Sequence, residues 1–103
     1  MNWDTSKNSN LIKAFLALKT EAEARAFLRD IMTEKEIDEF SNRLKAAEML
    51  ADKISYLEIE KATGLSSTTI ARVAKWLNGT IGGYMTVINR IHHTPSQTRK
   101  GLS

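Results

Sequence analysis

Four consecutive hydroxyls, Ser66, Ser67, Thr68 and Thr69, are followed at helical spacing by Ala71, Arg72 and Lys75. A hydroxyl becomes a nucleophile when a histidine or lysine base is placed beside it, and the motif places none. At the start of a helix, hydroxyls have a simpler use. They hydrogen-bond phosphates and base edges beside the positive end of the helix dipole. Arg72 and Lys75 add charge of the sign that phosphates attract. The remaining candidates for chemistry are poorer. His92 and His93 are adjacent, so on a helix they point about 100° apart and cannot easily share a metal. No cysteine exists, and no carboxylate at ligand spacing joins them. The stretch TIGGY, residues 80–84, has glycines but neither the lysine nor the strand context of a phosphate-cradling loop. With no constellation of base, nucleophile and metal ligands, an enzyme is not expected, and no cofactor is implied.

Two short helices must position the hydroxyl run. The first starts at Ser55, an N-cap residue with Glu58 three positions on, as in a capping box. It ends near Thr63, where Gly64 allows a left-handed exit. The second starts at Ser66 or Ser67 and runs to about Asn78. Ile59, Thr63, Leu65, Ile70 and Val73 are spaced to let the two helices cross closely. This is a helix-turn-helix pattern, whose second helix enters the major groove of DNA. Glu60 departs from it: many such motifs carry a small residue there, and an exposed acid would repel phosphates.

Upstream, residues 1–8 are polar and read as a disordered arm. Leu11, Ile12, Phe15 and Leu16 form a helical stripe within a first helix from about Ser9 to Leu18. Thr20, with Glu23, caps a second helix bearing Ala24, Phe27, Leu28, Ile31 and Met32. These stripes read as core or subunit interface. Thr33 with Glu36 opens the longest helix, to about Ala51, expected to be buried on more than one face. After the helix-turn-helix, Gly79, Gly82 and Gly83 form a connection to a last helix from about Tyr84. Residues 94–103 read as a flexible basic tail. The pattern is all-α, with one domain over residues 9–93.

Charge is unevenly divided over the 103 residues, whose net is +3. Residues 1–51 hold eight Lys/Arg and nine Asp/Glu, whereas residues 52–103 hold seven and three. No acidic residue follows Glu60. A basic half that coincides with a helix-turn-helix points to a polyanion, double-stranded DNA. No apolar run approaches the ~20 residues of a membrane span, and a cytoplasmic protein without membrane contact is expected.

From Met32 to Leu77 the chain resembles the tryptophan repressor family, most closely its YerC/YecD branch. The likeness is carried by MTEKEIDEFSNRLKAAEML, with Thr33 and Arg43, and by ISYLEIEKATGLSSTTIARV. Gly64, Leu65 and Ser66 stand at the family's turn. Thr69, Ile70, Ala71 and Arg72 stand in its reading helix. The resemblance implies a six-helix, all-α Trp repressor-like domain, with N-terminal helices interlocked in a homodimer. It also implies a ligand pocket: Arg43 and Arg72 match the two arginines that flank the bound indole, and Thr33 matches a threonine that helps hold the carboxylate. Two departures bear on that pocket. Val73 stands where the repressor has a glycine that leaves room for the indole, and Trp76 stands where it has a serine. Packed interiors tolerate added volume poorly, so tryptophan is not expected as corepressor and no other effector is named.

The resemblance also maps the DNA surface. Ser67, Thr68 and Ala71 match base-facing positions, while Leu57 and Glu60 replace basic residues. Affinity should then rest on Arg72, Lys75, Lys61 and the tail, and fall steeply with salt. The expected function is a dimeric, sequence-specific DNA-binding transcriptional regulator acting as a repressor. The alternative is a protein-interaction module that keeps the fold and has lost DNA reading.

Overall fold

A computed structural model describes residues 1–92, which form six α-helices and, among the described residues, no strand. The expectations for His93 and for the basic tail at 94–103 lie outside those residues. The chain divides into two compact units, Met1–Ile37 and the chain from Asp38 onward.

The first unit holds α1 (Ser6–Ala17), α2 (Glu21–Ile31) and the opening turn of α3 (Glu34–Ala51). Helix α1 starts three residues earlier than its apolar stripe implies. Thr5 is the reason: its Oγ1 accepts from Asn8 N at 3.2 Å. The expected disordered arm therefore loses residues 6–8 to the first turn of α1. Asn8 Nδ2 also donates to Asn2 O at 2.7 Å, folding the chain start back on the helix. Thr20 Oγ1 accepts from Glu23 N at 3.1 Å. Thr33 and Glu36 form a reciprocal capping box, Glu36 N to Thr33 Oγ1 at 3.1 Å and Thr33 N to Glu36 Oε1 at 2.9 Å. Phe15 and Phe27 meet edge to face, with ring centroids 5.5 Å apart. Despite these caps, no residue of α1 or α2 is buried, and Leu16 is 78% exposed.

The second unit holds most of α3, then α4 (Tyr56–Thr63), α5 (Ser67–Leu77) and α6 (Gly83–His92). Its core is Ala46 and Ala47 of α3, Ile59 of α4, Ile70, Val73 and Leu77 of α5, and Ile88 of α6. Paired alanines offer no side-chain bulk, so other apolar groups can approach the α3 backbone closely. Only those two residues of α3 are fully buried. Leu44, Met49, Leu50 and Ala51 pack half-buried against the core, while Phe40 stays exposed. These half-buried residues lie on more than one side of the helix, Leu44 and Met49 being about 140° apart around its axis, so α3 packs on more than one face, as its sequence implies. Gly82, at φ +76°, turns the chain into α6. His92 Nε2 lies 3.2 Å from Glu48 Oε2, linking the last turn of α6 to α3.

Candidate nucleic-acid interface

Helices α4 and α5 meet at a turn whose geometry follows from three side chains and one glycine. Ser55 Oγ accepts from Glu58 N at 3.2 Å and starts α4. Gly64, at φ +76°, ends it, donating its N–H to Glu60 O at 2.8 Å. A Cβ at Gly64 would meet nothing within 4 Å, so glycine is needed there for its backbone alone, a matter of about 1–2 kcal/mol. Thr63 is buried, and its hydroxyl works in both directions. It donates to Ile59 O at 2.7 Å and accepts from Leu65 N at 3.2 Å. That second bond satisfies a turn N–H that no helix serves. Ser66 Oγ then accepts from Thr69 N at 3.2 Å and starts α5.

Burial divides α5 into two faces. Ile70, Val73 and Leu77 point to the core, and Ile59 and Ile70 are each 0% exposed. Ser67, Thr68, Ala71, Arg72 and Lys75 are all exposed. Their spacing, i, i+4, i+8 with i+1 and i+5 beside them, is a continuous stripe along one side of a helix. Five of the seven residues expected to contact DNA therefore share this open face. The other two are placed differently. Ser66 and Thr69 are engaged with each other: besides the cap, Ser66 Oγ donates to Thr69 Oγ1 at 3.1 Å. Their hydroxyls serve the helix start. Arg72, Lys75 and Lys61 form no ion pair among the described residues, so their charge faces outward uncompensated. On α4, Leu57 is 62% exposed and Glu60 half-buried.

The residues expected around a ligand fall in both units. Thr33 belongs to the first unit, where its hydroxyl caps α3. In the second unit Arg43 is already paired: Nη2 donates to Glu39 Oε2 at 2.6 Å, and the guanidinium stands 5.5 Å from the centre of the Phe40 ring. Its Nε is buried without a partner. Val73 is 3% exposed within the core. Trp76 is 53% exposed. Trp76 lines an open cavity of about 470 Å³ with Leu44, Ile81, Gly83, Tyr84 and Val87. That lining contains no charged side chain, and neither Arg43 nor Arg72 takes part in it.

Two features escaped the sequence. Glu39, four residues before Arg43, carried a usable signal, because acid and base at i, i+4 meet on a helix. The bifunctional Thr63 hydroxyl carried none, since its apolar spacing made it look like packing. No helix of the described residues is long and apolar enough to cross a membrane.

Comparison with known proteins agrees with this architecture. The family model described as Trp repressor protein matches residues 6–92. The uncharacterized protein YerC of Bacillus subtilis (strain 168) is 34% identical over 88 residues, which is 85% of this chain and 85% of that protein. The crystal structure of a TrpR-like protein from Eubacterium eligens ATCC 27750 superposes with a TM-score of 0.81 at 38% identity. The match covers 88% of this chain and 94% of that one.

Proposed function

This chain belongs to the Trp repressor family, a family of DNA-binding regulators rather than enzymes, and from that premise we propose that it is a sequence-specific, dimeric transcriptional repressor of the cytoplasm. The observation that carries the reading is the open face of α5, with Ser67, Thr68 and Ala71 small enough to approach base edges and Arg72 and Lys75 unpaired beside them. Small hydroxyl and methyl groups contact base edges at close range, and the cations hold the phosphates that fix register.

The dimer is supported by what α1 and α2 leave uncovered. A second copy is the occupant that covers an apolar face on every molecule, and it also doubles a small reading head onto two half-sites about one DNA turn apart. Tryptophan is not needed to set α5. Val73 and Leu77 already seat that helix in the core, and Arg43 is held by Glu39 rather than left for a carboxylate.

Fluorescence anisotropy of a duplex at several salt concentrations tests the reading. Three cations per subunit, six per dimer, correspond to a loss of about 10³ in affinity between ~50 and ~200 mM salt. Arg72→Ala with Lys75→Ala should flatten that slope and weaken binding by at least about tenfold. A second reading, a protein-interaction module, draws on the exposed Leu57 and the acid beside it on α4. Duplex affinity that the double substitution leaves unchanged would favour it.

A further inference from the structure

Three residues among those described have a left-handed backbone: Gly64, Gly82 and Lys53, the last at φ +65°. Glycine adopts this conformation freely, whereas a residue with a Cβ is strained in it. The chain uses glycine at two of the three positions and lysine at the third. Lys53 forms no ion pair among the described residues, so its charge is not accounted for by a neighbour. Lys53 lines a cleft of about 480 Å³. Clefts of ~300–1,000 Å³ are the size that holds small molecules.

We infer that this cleft binds a small organic anion with an apolar body. It lies wholly in the second unit and does not include Arg43, Arg72 or the Trp76 cavity. Its apolar lining is Leu50, Ala51, Ala74, Leu77 and Met85, contributed by α3, α5 and α6. Its polar lining is Lys53, Tyr56 and Asn78. The ammonium offers three donors and the phenol one, while Asn78 Oδ1 accepts. Asn78 Nδ2 is already engaged, donating to Ala74 O at 3.0 Å.

The sign of the ligand follows from the helix ends. Two helix C-termini adjoin the cleft, and free carbonyls there would repel an anion. Four of these carbonyls are occupied. Glu48 O and Met49 O accept from Asp52 N, Met49 O also from Ile54 N, and Leu50 O from Lys53 N. Ala74 O accepts both from Asn78 N and from its side chain. Tyr56, by contrast, is the first residue of α4 and stands at the positive end of that helix. Lys53 is the sole charged group in the lining. A carboxylate or phosphate at Lys53 and Tyr56, with a hydrocarbon or aromatic body over Leu77 and Met85, satisfies both parts. Because Ala74, Leu77 and Asn78 end α5, an occupant would brace the C-terminal end of the helix proposed to read DNA.

Phenylacetate and its uncharged isostere phenylacetamide are suitable probes, titrated into the full-length, ¹⁵N-labelled protein without DNA. Phenylacetate should shift the amides of Lys53, Tyr56, Asn78 and Met85 saturably. Phenylacetamide, and phenylacetate on Lys53→Gln, should each bind at least about tenfold more weakly, the loss expected for one charge-assisted hydrogen bond. Absence of a saturable shift in the cleft, equal affinity for acid and amide, or an unaffected Lys53→Gln protein would overturn the inference. With no DNA in the sample, such a failure leaves the DNA-reading proposal untouched.

Discussion

Residues 1–37 and residues 38–92 have helix starts of comparable quality and opposite states of burial. In the first unit Thr5, Thr20 and Thr33 each accept a backbone N–H three residues on. In the second, Ser55 and Ser66 do the same. Yet α1 and α2 contain no fully buried residue, whereas Ala46, Ala47, Ile59, Ile70, Val73, Leu77 and Ile88 form a core. Caps stop a helix from fraying at about 1 kcal/mol each. They do not replace the burial of an apolar face, from which most helix stability in proteins comes. The second unit has a core of its own, on which α5 is seated. The first presents an apolar stripe suited to another molecule.

That contrast can be broken at its strongest point first. Ile70→Ala removes a side chain with no exposed surface from the core beneath α5. It should lower stability by about 3 kcal/mol, read as a shift of the urea midpoint. The matching change in the first unit should act differently. Leu16→Glu alters an exposed residue, so helix content by circular dichroism should be retained. The dissociation constant of the proposed dimer should rise by about 100-fold in sedimentation equilibrium, as for a hot-spot residue. If Leu16→Glu instead unfolds the chain and leaves association intact, the division of roles between the units is wrong.

Smaller changes sharpen the picture of the turn. Thr63→Val keeps the shape of the side chain and removes its hydroxyl, leaving Leu65 N without its partner. A loss of about 1–2 kcal/mol in denaturant unfolding is expected. Lys53→Gly should go the other way. Relieving a left-handed lysine should stabilise the protein by up to about 1 kcal/mol, seen as a rise in Tm.

Most of the fold was legible before the structure. The caps at Thr20, Thr33, Ser55 and Ser66, the left-handed Gly64 and the apolar spacing of α4 and α5 are all local signals. Residues a few positions apart determine them, so sequence alone suffices. The exposed stripe of α5 followed from the same periodicity. What stayed hidden depends on more distant contacts or on backbone angles. That α3 buries only Ala46 and Ala47 fully depends on packing with α4, α5 and α6. The Ser66–Thr69 hydroxyl pair required a rotamer that spacing cannot specify. Lys53 gave no sign of its positive φ, because lysine is not a residue that marks one. The start of α1 was missed because Thr5 lies in a polar stretch with no apolar stripe to frame it.

The account rests on α5 reading DNA without tryptophan to set it. The most direct measurement is selection of the purified protein on a pool of random duplexes, with and without tryptophan, at two salt concentrations. Enrichment of a palindrome without tryptophan, weakening as salt rises, is the predicted result. Enrichment only when tryptophan is present would contradict it by restoring a ligand to the space assigned to Val73 and Trp76. No enrichment under any condition would remove DNA reading itself.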